Sequence, residues 1–505
     1  MKKLAIISTI VLGLGLASCD SYMDINQNPN SPQESNMTSD KLLPGAELNL
    51  AGTYGNYLRI VGGYYAEHYA QTFGTSNYLD YSQFSQSAAR SSSAYTQLNS
   101  RALKSLNYVL SISESEEDWG TFLAATTLRA FIYQSLVDCY GEVPYTEALD
   151  ASNPSPHYDE GTTVYAGILA ELDEALSKVN GSETVATNFL FPGATADKWV
   201  RFANALKLRI LTRESAAVSV DSEIAALVSE GNFPADDVAY AGFWSNEPGQ
   251  MSPFYAEEFA TNWGSTQINV VANIAIIGTM LQKDANDNVI YEDPRLAAFF
   301  NANEASGEYT GGVSGTNFST SDVYKSTYFC RPAASATMPV YLITVAETEF
   351  LIAEYYAKQN NAAQAAAHYA AAVEASFQTA GVGGADANVA QFPYDQSNWK
   401  QVLGVAKWVA LSGVNNFEAY CELRRLRYPA FGSVTGSNLY NLGKSATDYT
   451  PDRYVPGTLY TPIQVFGEVG SGKLLERWPY AESSSSRNGN SPDFKGYTTP
   501  IFWAN

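Results

Sequence analysis

Two stretches of this 505-residue chain combine aromatic faces with amide and carboxylate groups. One holds Tyr78, Asp80 and Tyr81. The other lies between residues 233 and 337 and holds Phe243, Trp244, Asn246, Gln250, Tyr255, Asn262, Trp263 and Gln267, with Tyr309, Asn317 and Tyr328 beyond. Flat rings cover the axial C–H bonds of a sugar, and amides or carboxylates bond its hydroxyls. The same rings would serve equally to pack loops onto helices. Other chemistry is poorly supplied. Residues 467–473 spell GxxxxGK, but Leu474 replaces the Ser or Thr that would hold magnesium, so a turn is expected. Residues 284–288 open like a calcium loop. Val289 then stands where the loop needs Gly, and Arg295 where it needs Glu, so a structural Ca2+ is unsupported and no cofactor is expected. His68, His157 and His368 lack HExxH spacing, and no GxSxG occurs. Paired carboxylates for glycoside hydrolysis would have to meet in space, and no spacing points to them. Arg424, Arg425 and Arg427 are expected to pair with carboxylates. No catalytic residue and no metal ligand is assigned.

Acidic residues outnumber basic ones 52 to 30, a net charge of -22. Phosphate binding needs clustered Lys and Arg, so nucleic acid is excluded as a partner. The N-terminus carries the most specific local signal. Lys2 and Lys3 precede an apolar run at 4–16 that is too short to span a bilayer. Leu16, Ala17, Ser18 and Cys19 follow, and this group resembles the lipobox of bacterial lipoproteins. The resemblance implies a signal peptide at 1–18, diacylglycerol on the Cys19 thiol and acylation of its freed amine. Several acyl chains make a durable anchor. Removing residues 1–18 takes away two lysines and no acid, so the mature chain is more acidic still. Cys139, Cys330 and Cys421 remain, an odd number without CxxC, and are expected as small core residues, one bridge being possible.

The elements that must position these residues are helical. Residues 19–40 are polar and rich in Asn-Pro and Ser-Pro, a tether. Residues 41–69 suggest a helix interrupted at Gly52, Gly55 and Gly62-Gly63, and 78–93 reads as loop. Apolar spacing predicts helices at 95–112, 119–140, 197–215 and 222–229, with Gly141 ending the second and Thr162 or Thr163 capping a helix through Ala175. Residues 346–372 fit a 34-residue helix–turn–helix repeat. Ile352, Ala353 and Tyr356 take the first helix's positions, and Ala365, Tyr369 and Ala372 the second's, with a turn at Asn360-Asn361. That is the tetratricopeptide (TPR) pattern, although Glu349 and Phe377 hold its Trp and Pro positions. A further pair is expected at 398–412 and 415–427. The organisation is then one domain over 41–505. It has TPR-like halves at about 95–230 and 338–428, a loop-rich insertion at about 233–337 and an irregular tail at 429–505.

In this order the segments resemble the SusD/RagB family of surface lipoproteins, in its SusD-like group. The residues that carry it are the lipobox, Leu128-Arg129-Ala130-Phe131 leading to 140–145 (YGEVPY), 168–175 (ILAELDEA) and 338–381. Trp408 to Leu411, Glu418-Ala419-Tyr420, Arg424-Arg425, 477–482 (RWPYAE) and Phe502-Trp503 complete it. Tyr420 stands where many relatives have Trp. The resemblance implies an all-α scaffold of four TPR-like helix pairs with a loop-rich ligand face. It also implies residence on the outer leaflet of the outer membrane and partnership with a TonB-dependent SusC-type transporter. Most relatives bind oligosaccharides and some bind peptides, without chemical change. No family-wide ligand motif exists, so no binding residue transfers by identity. A peptide-binding protein of the same uptake system, a surface glycosidase and a protein-binding scaffold are the rival readings.

Overall fold

The computed structural model describes residues 37–71, 75–260, 268–286, 288–315, 328–439 and 454–504. Cys19, the expected signal peptide, most of the tether, Asn262, Trp263, Gln267 and Asn317 lie outside them.

The architecture is all-α, with short two-stranded pairings between helices, among them β4 (Val238–Tyr240) antiparallel to Val340–Ile343. The chain opens with α1 (Ser39–Gly52), which continues through a π-helical turn, Thr53–Leu58, into α2 (Arg59–Tyr65). The expected interruption at the glycines does not occur. Gly62 instead marks where α2 lies directly against the backbone at Asn416 and Phe417. Residues 78–93, expected as loop, contain a helical turn at Leu79–Ser82 and the start of α3 (Ala88–Thr96), whose Ser87 cap accepts from the Arg90 amide. A second π turn, Gln97–Leu103, leads into α4 (Lys104–Ser115).

Next comes α5 (Trp119–Tyr140), ended by Gly141 at φ 83°. This helix is not amphipathic: it is buried on every side. Its polar residues tolerate this because Thr126, Thr127 and Ser135 donate their hydroxyls to the carbonyls four residues back, at 2.8–2.9 Å. The helices α6 (Gly161–Ser177), α7 (Ala196–Glu214) and α8 (Asp221–Glu230) follow. No Thr caps α6. It starts at Gly161 after Glu160, with no side-chain cap, and β2 (Glu142–Val143) pairs antiparallel with β3 (Asp159–Glu160) at its entrance.

The later helix pairs are α9 (Val345–Lys358) with α10 (Ala362–Ala380), and α11 (Trp399–Leu411) with α12 (Asn416–Leu426). Ala353, Ala365, Tyr369 and Ala372 are fully buried between the first pair, as the repeat frame requires. Asn360 takes the left-handed conformation, φ 56°, and Asn361 caps α10 through the Gln364 amide. The residues that depart from the repeat pattern also have partners. Glu349 bonds His368 at 2.7 Å, and His368 stacks on Tyr356 with centroids 5.3 Å apart.

The tail is irregular but contributes heavily to the core. Trp478 is buried, with its ring edge-on to those of Tyr57, Tyr140 and Phe417 at 6.0–6.4 Å, and Trp503 is fully buried. All three described cysteines are buried and free. Residues 467–473 form turns, and Asp284 accepts from the Asn286 and Asn288 amides at 2.9 Å in a hairpin turn.

Buried ion pairs tie α5 and α7 to α9, α11 and α12. Arg209 forks onto Glu347 at 2.6 and 2.7 Å, and Arg213 bonds Asp138 (2.5 Å), Glu418 and Glu422 (3.3 Å). Glu422 also takes Lys407 at 2.8 Å, and Arg425 bridges Glu422 to Glu354. The expectation for the α12 arginines holds for Arg425, and for Arg427, which bonds Glu476 at 2.5 Å. It fails for Arg424, whose guanidinium donates instead to the carbonyls of Glu476 (2.6 Å) and Asp138 (2.8 Å) and lies 4.0 Å over the Tyr420 ring. Burial opposes ionisation of Glu354, but Arg425 and Lys358 outweigh it and hold that carboxyl down to about 2. A depressed folded pKa contributes stability that is complete above 4.5 and is lost as pH falls towards 2. Urea midpoints measured between pH 5 and 2.5 should therefore fall less steeply in Glu354→Gln than in the parent.

Candidate functional site

A helical turn at Pro253–Tyr255 passes into the π-helical turn Ala256–Ala260. That geometry lays the Tyr255 and Phe259 rings parallel, centroids 5.6 Å and planes 2° apart. Arg331 covers Phe259 at 4.2 Å, and its guanidinium donates to the Glu258 carbonyl at 3.2 Å. Strand pairing brings Arg331 here. β8 (Phe300–Asn301) runs antiparallel to β9 (Arg331–Pro332), and the Ala272 amide donates to the Cys330 carbonyl at 2.8 Å. β1 (Tyr69–Gln71) and β5 (Val270–Ala272) pair beside them. Between these segments lies a cavity of about 170 Å³, lined by Phe259, Asn301, Glu304, Phe329 and Arg331 among others. Asn301 and Glu304 are exposed, whereas Tyr255 and Phe259 are half-buried. Phe259 lines the cavity with an amide, a carboxylate and a guanidinium, and Tyr255 stacks behind it, a set that can bond the hydroxyls of a sugar beside an aromatic platform.

The early stretch joins this site through Glu258. Tyr78 and Tyr81 are buried and stacked, centroids 5.8 Å apart, and the Tyr78 hydroxyl donates to the Glu258 carboxylate. Burial pushes the Glu258 carboxyl up, opposed by that hydroxyl. Asp80 is held by Arg90 at 2.7 and 2.8 Å, and Arg90 caps the Tyr81 face at 4.9 Å. These three residues support the site; Tyr78 and Tyr81 present little surface of their own. Tyr309 and Tyr328 are brought near one another, because Thr310 pairs with the chain at Tyr328 and Cys330. Both rings are half-buried.

Trp244 belongs to a different cluster. Its indole donates to the Tyr240 carbonyl at 3.0 Å, and its ring lies 4.2 Å from Phe243, which stacks on Phe189 at 4.8 Å. Asn246 and Gln250 are exposed, in a loop closed by the Ser245 amide donating to the Gln250 carbonyl at 2.9 Å. The sequence reading missed Phe259, Arg331, Asn301 and Glu304. Only Phe259 left a signal, four residues after Tyr255 on one helical turn.

Among the described residues, no group of three His, Cys, Asp or Glu side chains converges to hold a metal. His68 is fully buried against Trp408, centroids 4.9 Å apart, and burial holds its imidazole down to about 3, so it is neutral. No helix of the described residues is long and apolar enough to cross a membrane.

Comparison with solved structures finds the same fold at low identity. A SusD homologue from Bacteroides uniformis is 21% identical, with a TM-score of 0.71, over 92% of this chain and 100% of its own. A chitin-binding protein is 19% identical, with a TM-score of 0.70 and the same coverage. A SusD/RagB family protein from Bacteroides thetaiotaomicron is 19% identical, with a TM-score of 0.67, over 93% of this chain and 99% of its own. Comparison with curated proteins finds no match. The model of the SusD-like family described as starch-binding and associating with the outer membrane matches residues 29–450, most of the chain, and the chain belongs to that family.

Proposed function

We propose that this protein captures an oligosaccharide at the cell surface and delivers it, chemically unchanged, to a TonB-dependent SusC-type transporter. Cys19 carries its lipid anchor in the outer leaflet of the outer membrane. The anchor confines the protein beside its partner, so modest ligand affinity suffices. The observation that carries this reading is Phe259, stacked on Tyr255, lining one cavity with Asn301, Glu304 and Arg331, in a chain whose family is described as starch-binding.

Calorimetry of the purified protein against dietary and host polysaccharides and a peptide digest, with product analysis of the same samples, tests it. A saturable glycan signal without new products is expected. Tyr255→Ala or Phe259→Ala should weaken it at least about fivefold, the worth of one aromatic contact of ~1 kcal/mol. Binding confined to peptides would favour a peptide carrier instead, and released products would make the protein an enzyme.

A further inference from the structure

A second cavity, of about 420 Å³, opens between a hairpin of the 233–337 segment and the later helix pairs. The hairpin is β6 (Leu281–Lys283) with β7 (Val289–Glu292). Met280, Val373, Val402 and Val405 contribute apolar surface. One wall is polar and rigid. Arg295 donates to Asp293 at 2.7 and 2.9 Å and to Ser376 at 2.9 Å. The Asn388 amide donates to the Tyr291 hydroxyl at 2.6 Å, and that hydroxyl donates to Asp293 at 3.1 Å. Asp293, Arg295 and Asn388 are all buried, so this wall is pre-formed.

The charges here are already satisfied. Among the described residues, Arg295 is the only cation lining the cavity and is paired with Asp293, while Asp395 accepts from Ser397 and Asn398. Among the described residues an anionic ligand would find no free counter-charge. Gln282, Gln391 and Gln401 also line the opening, each with an amide that both donates and accepts. Phe392 stands at the rim, 37% exposed, edge-on to Tyr291 at 5.0 Å. Seven large apolar side chains are exposed among the described residues, and four of them, Val289, Ile290, Phe392 and Val455, sit on segments bordering this cavity. Concentrated apolar exposure around a formed cavity marks a binding surface. A volume of this size lies within the range of small-molecule sites.

From these features we infer that the cavity between the β6–β7 hairpin and α10–α11 binds a neutral saccharide of one or two rings, at a site sharing no residue with the Tyr255–Phe259 face. The Phe392 ring covers a sugar face, the three glutamine amides bond hydroxyls, and the Asp293–Arg295–Asn388 wall holds the shape.

The test titrates the purified protein with maltose, cellobiose, lactose and N,N′-diacetylchitobiose in turn, reading affinity by calorimetry and location by hydrogen exchange. One of the four should slow exchange at residues 289–292 and 388–402. Combined Phe392→Ala and Gln401→Ala, both exposed positions, should lower its affinity at least tenfold with the thermal midpoint unchanged. Val402→Trp, which fills the cavity from α11, should do the same, and Tyr255→Ala should leave it unaltered. The inference is overturned if none of the four protects these segments, or if binding survives both cavity variants. Polysaccharide binding that is lost in Tyr255→Ala while the cavity stays silent would sink this site and leave the proposed function standing. Cavity binding without polysaccharide binding would do the reverse.

Discussion

Arg213→Met lowers the unfolding free energy by about 3–5 kcal/mol, the cost of removing one member of a buried ion cluster. Arg213 is 1% exposed and meets three carboxylates, Asp138, Glu418 and Glu422. A methionine fills similar volume but removes the ion pair to the Asp138 carboxylate and leaves Glu418 paired with Arg209, at 3.7 Å. Uncompensated carboxylates in a medium of low dielectric are what make the change expensive. The effect reaches across the fold, because Arg213 sits on α7, Asp138 on α5 and the glutamates on α12. Urea unfolding at pH 7 should show a lower midpoint with an unchanged slope. Arg201→Met provides the contrast. Arg201 pairs with Asp197 on the exposed face of the same helix, and its loss should cost less than about 0.5 kcal/mol. Equal losses for the two variants would show that burial of the cluster is not what matters.

Gly62→Ala should cost about 3 kcal/mol, the upper end for overpacking. A Cβ at position 62 would lie 2.5 Å from the Phe417 Cα and 2.7 Å from both the Asn416 carbonyl oxygen and the Phe417 amide nitrogen. These are backbone atoms at the first turn of α12, which Asn415 caps through the Glu418 amide. No rotamer change relieves the clash, so α2 and α12 must move apart. Arg59 would move with them, since it donates to the Gly413 carbonyl at 2.5 Å. At Gly52 a Cβ would meet nothing within 4 Å, and the backbone there is helical. Gly52→Ala should therefore stabilise by about 0.5–1 kcal/mol, by restricting the unfolded chain. Thermal midpoints that move the same way in both variants would refute this account of why α1 and α2 carry so many glycines.

The Ala353, Ala365, Tyr369 and Ala372 spacing was enough to place a helix pair, because close helix approach is a local requirement on side-chain size. Helix ends at Gly141 and the turn at Asn360-Asn361 were legible for the same local reason. The order of the segments sufficed for the family resemblance, and the all-α class followed from that resemblance. The glycines of 41–69 misled, because their role is set by what packs against them: Phe417 lies more than 350 residues from Gly62. Tyr78 and Asp80 have the composition of a ligand site, yet tertiary partners, Glu258 and Arg90, take up their polar groups. Arg331 reaches Phe259 only through β8–β9 pairing and the Ala272–Cys330 bond. Most long helices were legible in the sequence, since periodicity and capping act over a few residues, whereas the helical turns within 78–93 carry too short a pattern to read. Which rings stay accessible and which charges are already paired was settled by folding, because both depend on contacts between segments far apart in the chain.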